Sequence, residues 1–163
     1  MSEIDDSVRE FLNECHYATL ATLNEDGSIH QTPVWYLFED DRLYISSATG
    51  AKKFKNIQSR PKISVMVDSR RQQGYERWVG AQGTAEIITG QESEDMHLKI
   101  IKRYLTDAAL DDEVVGTVFK VAAEATIILK PDSIQSWELK SLDDQFFGGK
   151  LRQNPEKWFI TVD

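Results

Sequence analysis

From His16 to Leu23 the chain alternates apolar and polar residues at the two-residue period of a half-buried strand. It stops at Asn24-Glu25-Asp26-Gly27 and resumes the alternation from Ser28 to Phe38. Gly27 suits the left-handed position of a tight turn, so the pair reads as a β-hairpin. The same punctuation recurs down the chain. Glu39-Asp40-Asp41 turns into Leu43–Ile45, Ile63, Val65 and Val67 alternate again, and Glu76 to Ile88 is the longest strand signal of all. Ala125–Pro131 and Ser133–Leu139 add two more strands about a turn at Pro131-Asp132. Hairpin after hairpin with few long helices predicts a mainly β protein built as a small antiparallel barrel rather than a parallel sheet.

The helices are few. Ile4, Val8, Phe11 and Leu12 share a face between Ile4 and Glu14, giving a short amphipathic helix that serves as a lid on the core. Thr89-Gly90-Gln91-Glu92 has the spacing of a capping box, and Met96, Ile100, Ile101 and Tyr104 carry the following helix to Leu105. A further short helix is expected over Asp112–Lys120. The C-terminal extension, about 141–163, holds Gln145–Arg152 and Trp158–Ile160, which read as aromatic and irregular and suited to covering a dimer partner or a pocket. No linker, repeat or low-complexity tract divides the 163 residues, so 1–163 is expected to be a single domain.

Two interruptions inside strands matter. Pro33 cannot donate to a ladder and marks an edge, a bulge or a break; a break would leave the backbone of Gln31, Thr32 and Val34 facing a ligand. Gly80 and Gly83 within the longest strand suggest a bulge, a barrel corner or the close approach of another backbone.

Between Leu43 and Asp68 the pattern is strand, small polar loop, basic helix, strand. Ser46, Ser47 and Thr49 bring hydroxyls, Gly50 permits close approach, and Lys52 and Lys53 fall in the first turn of the helix. Lysines there oppose the helix dipole by roughly 0.3–1 kcal/mol each. A bound phosphate reverses that sign, because the free N–H groups of a helix start already favour an anion. The surroundings agree: Lys52 to Arg77 holds eight basic residues against Asp68 and Glu76, in a chain of net charge −8. A small anionic ligand fits such a local patch, whereas the overall acidity argues against a nucleic-acid or membrane-surface partner.

Other chemistry is missing from the pattern. His16, His30 and His97 have no partner histidine at helical spacing and no cysteine cluster, so no metal site is read. There is no Gly-x-Ser-x-Gly elbow, and Cys15 is the sole cysteine, which forbids an internal disulfide. No catalytic side chain is assigned. No apolar run approaches the roughly 20 residues of a membrane helix, and the acidic N-terminus is unlike a secretory signal, so a cytoplasmic protein is the expectation. A phosphate cradle without acid–base machinery points to chemistry carried by a bound cofactor.

Five pieces in order carry a resemblance: Ala21–Gly27, Thr32-Pro33-Val34-Trp35, Leu43–Ser46, Lys53-x-x-Asn56-Ile57 with Arg60–Val65, and Trp78–Glu86. Together they resemble the pyridoxamine 5'-phosphate oxidase-like flavin-binding split barrels. The resemblance implies a six-stranded antiparallel split β-barrel of the FMN-binding type, forming a homodimer with FMN, or alternatively a deazaflavin, at the subunit interface. It places Lys53 on the cofactor phosphate, supported by Ser46, Ser47 and Lys52. Thr32, Pro33, Val34 and Trp35 match the strand along the flavin ring, and Gln82 with Gly83 the strand near the same site. The activity implied is hydride transfer to or from a small organic substrate. The alternatives are a deazaflavin-dependent reductase, with Lys55, Arg60 and Arg77 serving a longer acidic cofactor tail, and a non-catalytic flavin- or haem-binding module or stress protein. Lys150–Pro155 lacks the histidine of the true oxidase's C-terminal substrate motif, which argues against vitamin B6 oxidation. Specificity then rests on the aromatic tail and the loop Ser69–Tyr75.

Overall fold

The computed structural model describes residues 4–69 and 73–160; Arg70 and Arg71 of the basic cluster lie outside them. Helix α1 (Asp6–Asn13) opens at Asp5, whose carboxylate accepts the Ser7 N–H at 2.7 Å, and buries Val8, Phe11 and Leu12. β1 (Ala18–Leu23) and β2 (Ile29–Val34) form the expected hairpin, paired from Ala18 opposite Val34 to Leu23 opposite Ile29. Gly27 turns it with a φ of 80°.

The strand expected to continue to Phe38 ends at Val34, and a separate β3 (Leu37–Glu39) follows. The cause is Tyr36. Its side chain is fully buried, its hydroxyl donates to the Leu12 carbonyl at 3.0 Å, and its N–H donates to the Tyr104 hydroxyl at 3.2 Å instead of to a strand. β3 returns as β4 (Arg42–Ser47) through Asp40 and Asp41, both at positive φ, as a two-residue hairpin of the primed type requires. α2 (Lys52–Ser59) then leads into β5 (Lys62–Ser69) and the long β6 (Arg77–Thr89). After it come α3 (Gln91–Tyr104), α4 (Asp107–Asp111), α5 (Val115–Lys120), β7 (Ala125–Leu129) and β8 (Ser133–Glu138). Three short helices, α6 (Leu139–Phe146), α7 (Lys150–Gln153) and α8 (Pro155–Trp158), complete the described chain.

The strands run in the order β2-β1-β5-β6-β7-β4-β3, all antiparallel, and curl into a split barrel. Six of them, β1, β2 and β4 to β7, make the expected barrel. The three-residue β3 left by the break at Trp35–Tyr36, and β8 on β6, bring the sheet to eight strands. One edge of β6 is shared: Arg77–Gln82 pairs with β8 and Ala85–Thr89 with β7. Gly83 marks the changeover, where an added Cβ would meet the Lys130 carbonyl at 3.0 Å and the Asp132 nitrogen at 3.2 Å. Close backbone approach explains that glycine.

The barrel interior is filled by Leu20, Leu43, Ile45, Val65, Val67, Ile127 and Leu129, and α1 closes it with Phe11 and Leu12. On the outer side α3 packs Ile100 against Tyr44 and Ile128. β7 is therefore buried on both faces, which accounts for its unbroken apolar run. The expected capping box does not form, because Thr89 remains in the sheet opposite Ala125 and Gly90, at φ 71°, takes the cap position. The tail, expected to be irregular, is helical. The buried Asp143 carboxylate gathers it by accepting the N–H groups of Leu151 and Arg152 at 3.0 and 3.1 Å. Among the described residues no helix is long and apolar enough to cross a membrane.

Candidate functional site

Asn56 fixes the basic helix. It is buried on the inner face of α2 and donates to Thr22 Oγ1 and Asn24 Oδ1, each at 3.0 Å, tying the helix to the first hairpin. Three residues earlier, Lys53 is carried to the rim of a cavity of about 500 Å³ between α2, β2, β4, α3 and α5. That volume lies within the roughly 300–1,000 Å³ usual for small-molecule sites.

Pro33, Val34, Trp35, Ser46, Ser47 and Lys53 all line this cavity. Four further residues singled out from the sequence do not. Lys52 is exposed at the start of α2, and Thr32 directs its hydroxyl to the Pro33 carbonyl at 3.4 Å. Gln82 and Gly83 sit within β6 opposite Ser64 and Ile63 of β5. The loop hydroxyls are already engaged: Ser47 Oγ donates to the Ala48 carbonyl at 3.1 Å, and Thr49 Oγ1 donates to the Glu124 carboxylate at 3.4 Å beside its own N–H at 2.9 Å.

Lys53 is half-buried, and desolvation holds its pKa below the ordinary lysine value. No hydrogen bond or ion pair engages its ammonium within the described structure. The first turn of α2 has no side-chain cap either, so its N–H groups stay open beside it. Lys53 and the two serines of β4 are the polar side chains of a cavity otherwise lined mostly by apolar and aromatic ones.

The remaining walls are aromatic and aliphatic. Trp35 stacks on Tyr104 with centroids 4.8 Å apart and planes 5° from parallel, and also on Phe119 at 5.7 Å. Ile100 and Ile101 from α3 and Ala122 and Ala123 beyond α5 close the remaining side. The sequence did not mark this far wall, since Phe119 belongs to a short helix without a period of its own. His97 was also missed as a neighbour of the site. It is buried behind Ser46, with Nδ1 2.8 Å from Ser46 Oγ and Nε2 2.7 Å from the Phe119 carbonyl. Among the described residues no three carboxylate, histidine or cysteine groups converge on a metal position.

The family model for pyridoxamine 5'-phosphate oxidase matches residues 4–138 of this chain. The chain belongs to that family. The match to the pyridoxamine 5'-phosphate oxidase model spans every residue lining the cavity and ends with β8, leaving α6 to α8 beyond it. Solved structures carry the same fold at low identity. Rv2991 of Mycobacterium tuberculosis is 21% identical with a TM-score of 0.70, over 86% of this chain and 88% of that one. An F420 reductase is 22% identical at 0.63, over 81% and 98%. HutZ, the haem storage protein of Vibrio cholerae, is 13% identical at 0.61, over 83% and 94%. No curated protein matches the sequence.

Proposed function

We propose that the cavity binds a flavin-type cofactor, FMN in particular, and that the protein is an oxidoreductase acting on a small organic substrate. The observation that carries this reading is Lys53, a half-buried ammonium without a partner among the described residues, lining a mostly apolar cavity. Buried cations without partners are costly, and a phosphate supplies what this one lacks. The residues fit such a group: Lys53, Ser46 and the open N–H groups of α2 hold the phosphate, and Pro33 to Trp35 flank the ring. A bound flavin supplies the hydride chemistry. The protein's own part is to orient that ring and to keep water from it, through Trp35, Phe119, Ile100 and Ile101.

In the same reading the protein is a homodimer with the cofactor at the interface. Support comes from Tyr17, 57% exposed beside the cavity, and from Ile29 of the edge strand β2, 66% exposed, with one side of that strand unpaired. Gln82 and Gly83 then act from a partner's sheet. The F420 reductase neighbour supports a deazaflavin as the alternative, but of the charges expected to serve its longer tail two, Arg77 and Arg60, are engaged elsewhere, and Lys55 is exposed on α2 and does not line the cavity. Arg77 donates to the Ser7 carbonyl at 3.0 Å and Arg60 to the Glu25 carbonyl at 3.4 Å. A haem ligand is disfavoured at His97, whose two ring nitrogens are both hydrogen-bonded.

Titration of the apoprotein with FMN and with riboflavin tests the proposal. Wild type is expected to bind FMN at micromolar concentration or below. Lys53→Ala should weaken FMN by about 10- to 100-fold, the scale of a charge-assisted contact, and change riboflavin little. Absence of FMN binding to wild type overturns the reading.

A further inference from the structure

The polarity that the Ser46 hydroxyl presents to the cavity is set by a histidine behind it. The Phe119 carbonyl only accepts, so the neutral His97 ring carries its proton on Nε2 and leaves Nδ1 as an acceptor. Nδ1 then takes the Ser46 O–H, 2.8 Å away, and Ser46 shows the cavity lone pairs alone. Such a hydroxyl welcomes a donor and repels a phosphate oxygen. Protonation of Nδ1 reverses this: the ring donates to Ser46 Oγ, and the hydroxyl proton is free to turn towards an anion.

We propose that His97 decides whether Ser46 donates or accepts, so that an anionic group bound beside Lys53 draws one proton from solvent onto His97. The proposal rests on the cavity being the site of a phosphate-bearing cofactor. His97 is a positioning residue here, since Ser46 stands between it and the ligand. Its Nε2 bond to Phe119 also places the response on α5, the helix that covers the cavity.

The charged and titratable groups around the ring leave this role to it. On the elements packed against α3, β4 carries Arg42 and Tyr44, β6 carries Glu86 and, at its other end, Arg77, and β7 carries none. Lys120 of α5 donates to the Leu110 carbonyl at 2.9 Å, and Glu39 of β3 pairs with Lys99 of α3 itself. Glu94 is exposed one turn away on α3, Glu124 holds Thr49, and Lys53 lines the cavity. None of them makes a hydrogen bond or ion pair with the imidazole.

Calorimetric titration with FMN and riboflavin between pH 7 and pH 9, in buffers of different ionisation enthalpy, reads the coupling. Above pH 7 the phosphate monoester, with a second pKa of about 6, is already a dianion and adds no proton of its own. Wild type is expected to take up to one proton more on binding FMN than His97→Gln does. Its FMN affinity should fall by up to about tenfold per pH unit relative to that variant. Riboflavin should show no difference. Ser46→Ala keeps the histidine and is expected to lose the coupling as well, and it carries the test alone if His97→Gln does not fold. Loss of charge on Lys53 at high pH enters all three proteins alike and cancels in the comparison. Equal proton uptake in all three, with FMN bound, overturns the coupling and leaves the cofactor site standing. No FMN binding in any of them overturns both.

Discussion

Trp35 and Tyr104 lie face to face with ring planes 5° from parallel, and the Tyr104 hydroxyl reaches past that stack to the His16 carbonyl at 2.6 Å. The same hydroxyl accepts the Tyr36 N–H at 3.2 Å. One side chain therefore joins α3 to the start of β1 and to the break that ends β2. It also fixes the aromatic wall of the cavity.

Tyr104→Phe keeps the ring and removes the hydroxyl, leaving the Tyr36 N–H and the His16 carbonyl without this partner. The expected cost is about 1–3 kcal/mol in urea unfolding, the price of stranding buried polar groups. Flavin affinity should change little, because the stacked surface remains.

Gly116→Ala should act on stability and on the cavity together. An added Cβ would lie 2.2 Å from the Leu110 carbonyl oxygen and 2.8 Å from its carbon, so α5 has to move away from α4. Phe119 moves with α5. A loss of about 1–3 kcal/mol is expected, with weaker FMN binding in fluorescence titration. Gly50→Ala is the contrast: nothing lies within 4 Å of its Cβ, and its stability should stay within about 0.5 kcal/mol of wild type.

What the sequence could show follows from how local each cause is. The hairpin about Gly27 and the placement of Lys53 at a helix start are set by neighbours in the chain, and they were legible. Pro33, open between an edge, a bulge and a break, lies on the edge strand β2 and does not break it, since Pro33 is paired with Thr19 and Val34 with Ala18. The break at Trp35–Tyr36 was not, because what turns Tyr36 inward is Leu12 and Tyr104, distant in sequence. His97 read as an isolated histidine for the same reason: Ser46 and Phe119 meet it only in the folded chain. Thr89 had the right spacing for a cap but is held by the register with Ala125, so tertiary pairing overrode a local motif.

Lys53→Met should stabilise the protein while reducing its preference for FMN over riboflavin by about 10- to 100-fold. Desolvation lowers the Lys53 pKa in the fold, so between the folded value and the ordinary 10.5 the unfolded chain binds more protons and stability rises with pH. Below the folded value the cost of the half-buried charge is fully present. The gain from Lys53→Met is therefore expected to be larger at pH 7 than near pH 11. It should not exceed about 1 kcal/mol, because water still reaches the ammonium. Paired urea unfolding curves at the two pH values measure it, and an equal gain at both would place the cost outside the charge.

Asp143 makes the tail sensitive to acid. Burial by itself would raise its pKa, but the N–H groups of Leu151 and Arg152 and the Arg152 guanidinium at 3.1 Å together pull it below the ordinary carboxylate value. A depressed folded pKa means that the contribution to stability is complete above the unfolded value of about 3.8 and is lost as pH falls through the folded one. The staple joining α6 to α7 should then hold at neutral pH and release only below about pH 4. Asp143→Asn keeps the shape but not the charge, and one amide nitrogen now faces donors. The variant is expected to show at pH 7 the protease susceptibility between Leu139 and Trp158 that wild type acquires only in acid. Its own cleavage pattern should be the same at pH 3.5 and pH 7, read with an acid-tolerant and a neutral protease on each protein. Cleavage of Asp143→Asn that still rises in acid would assign the tail's pH response to another group.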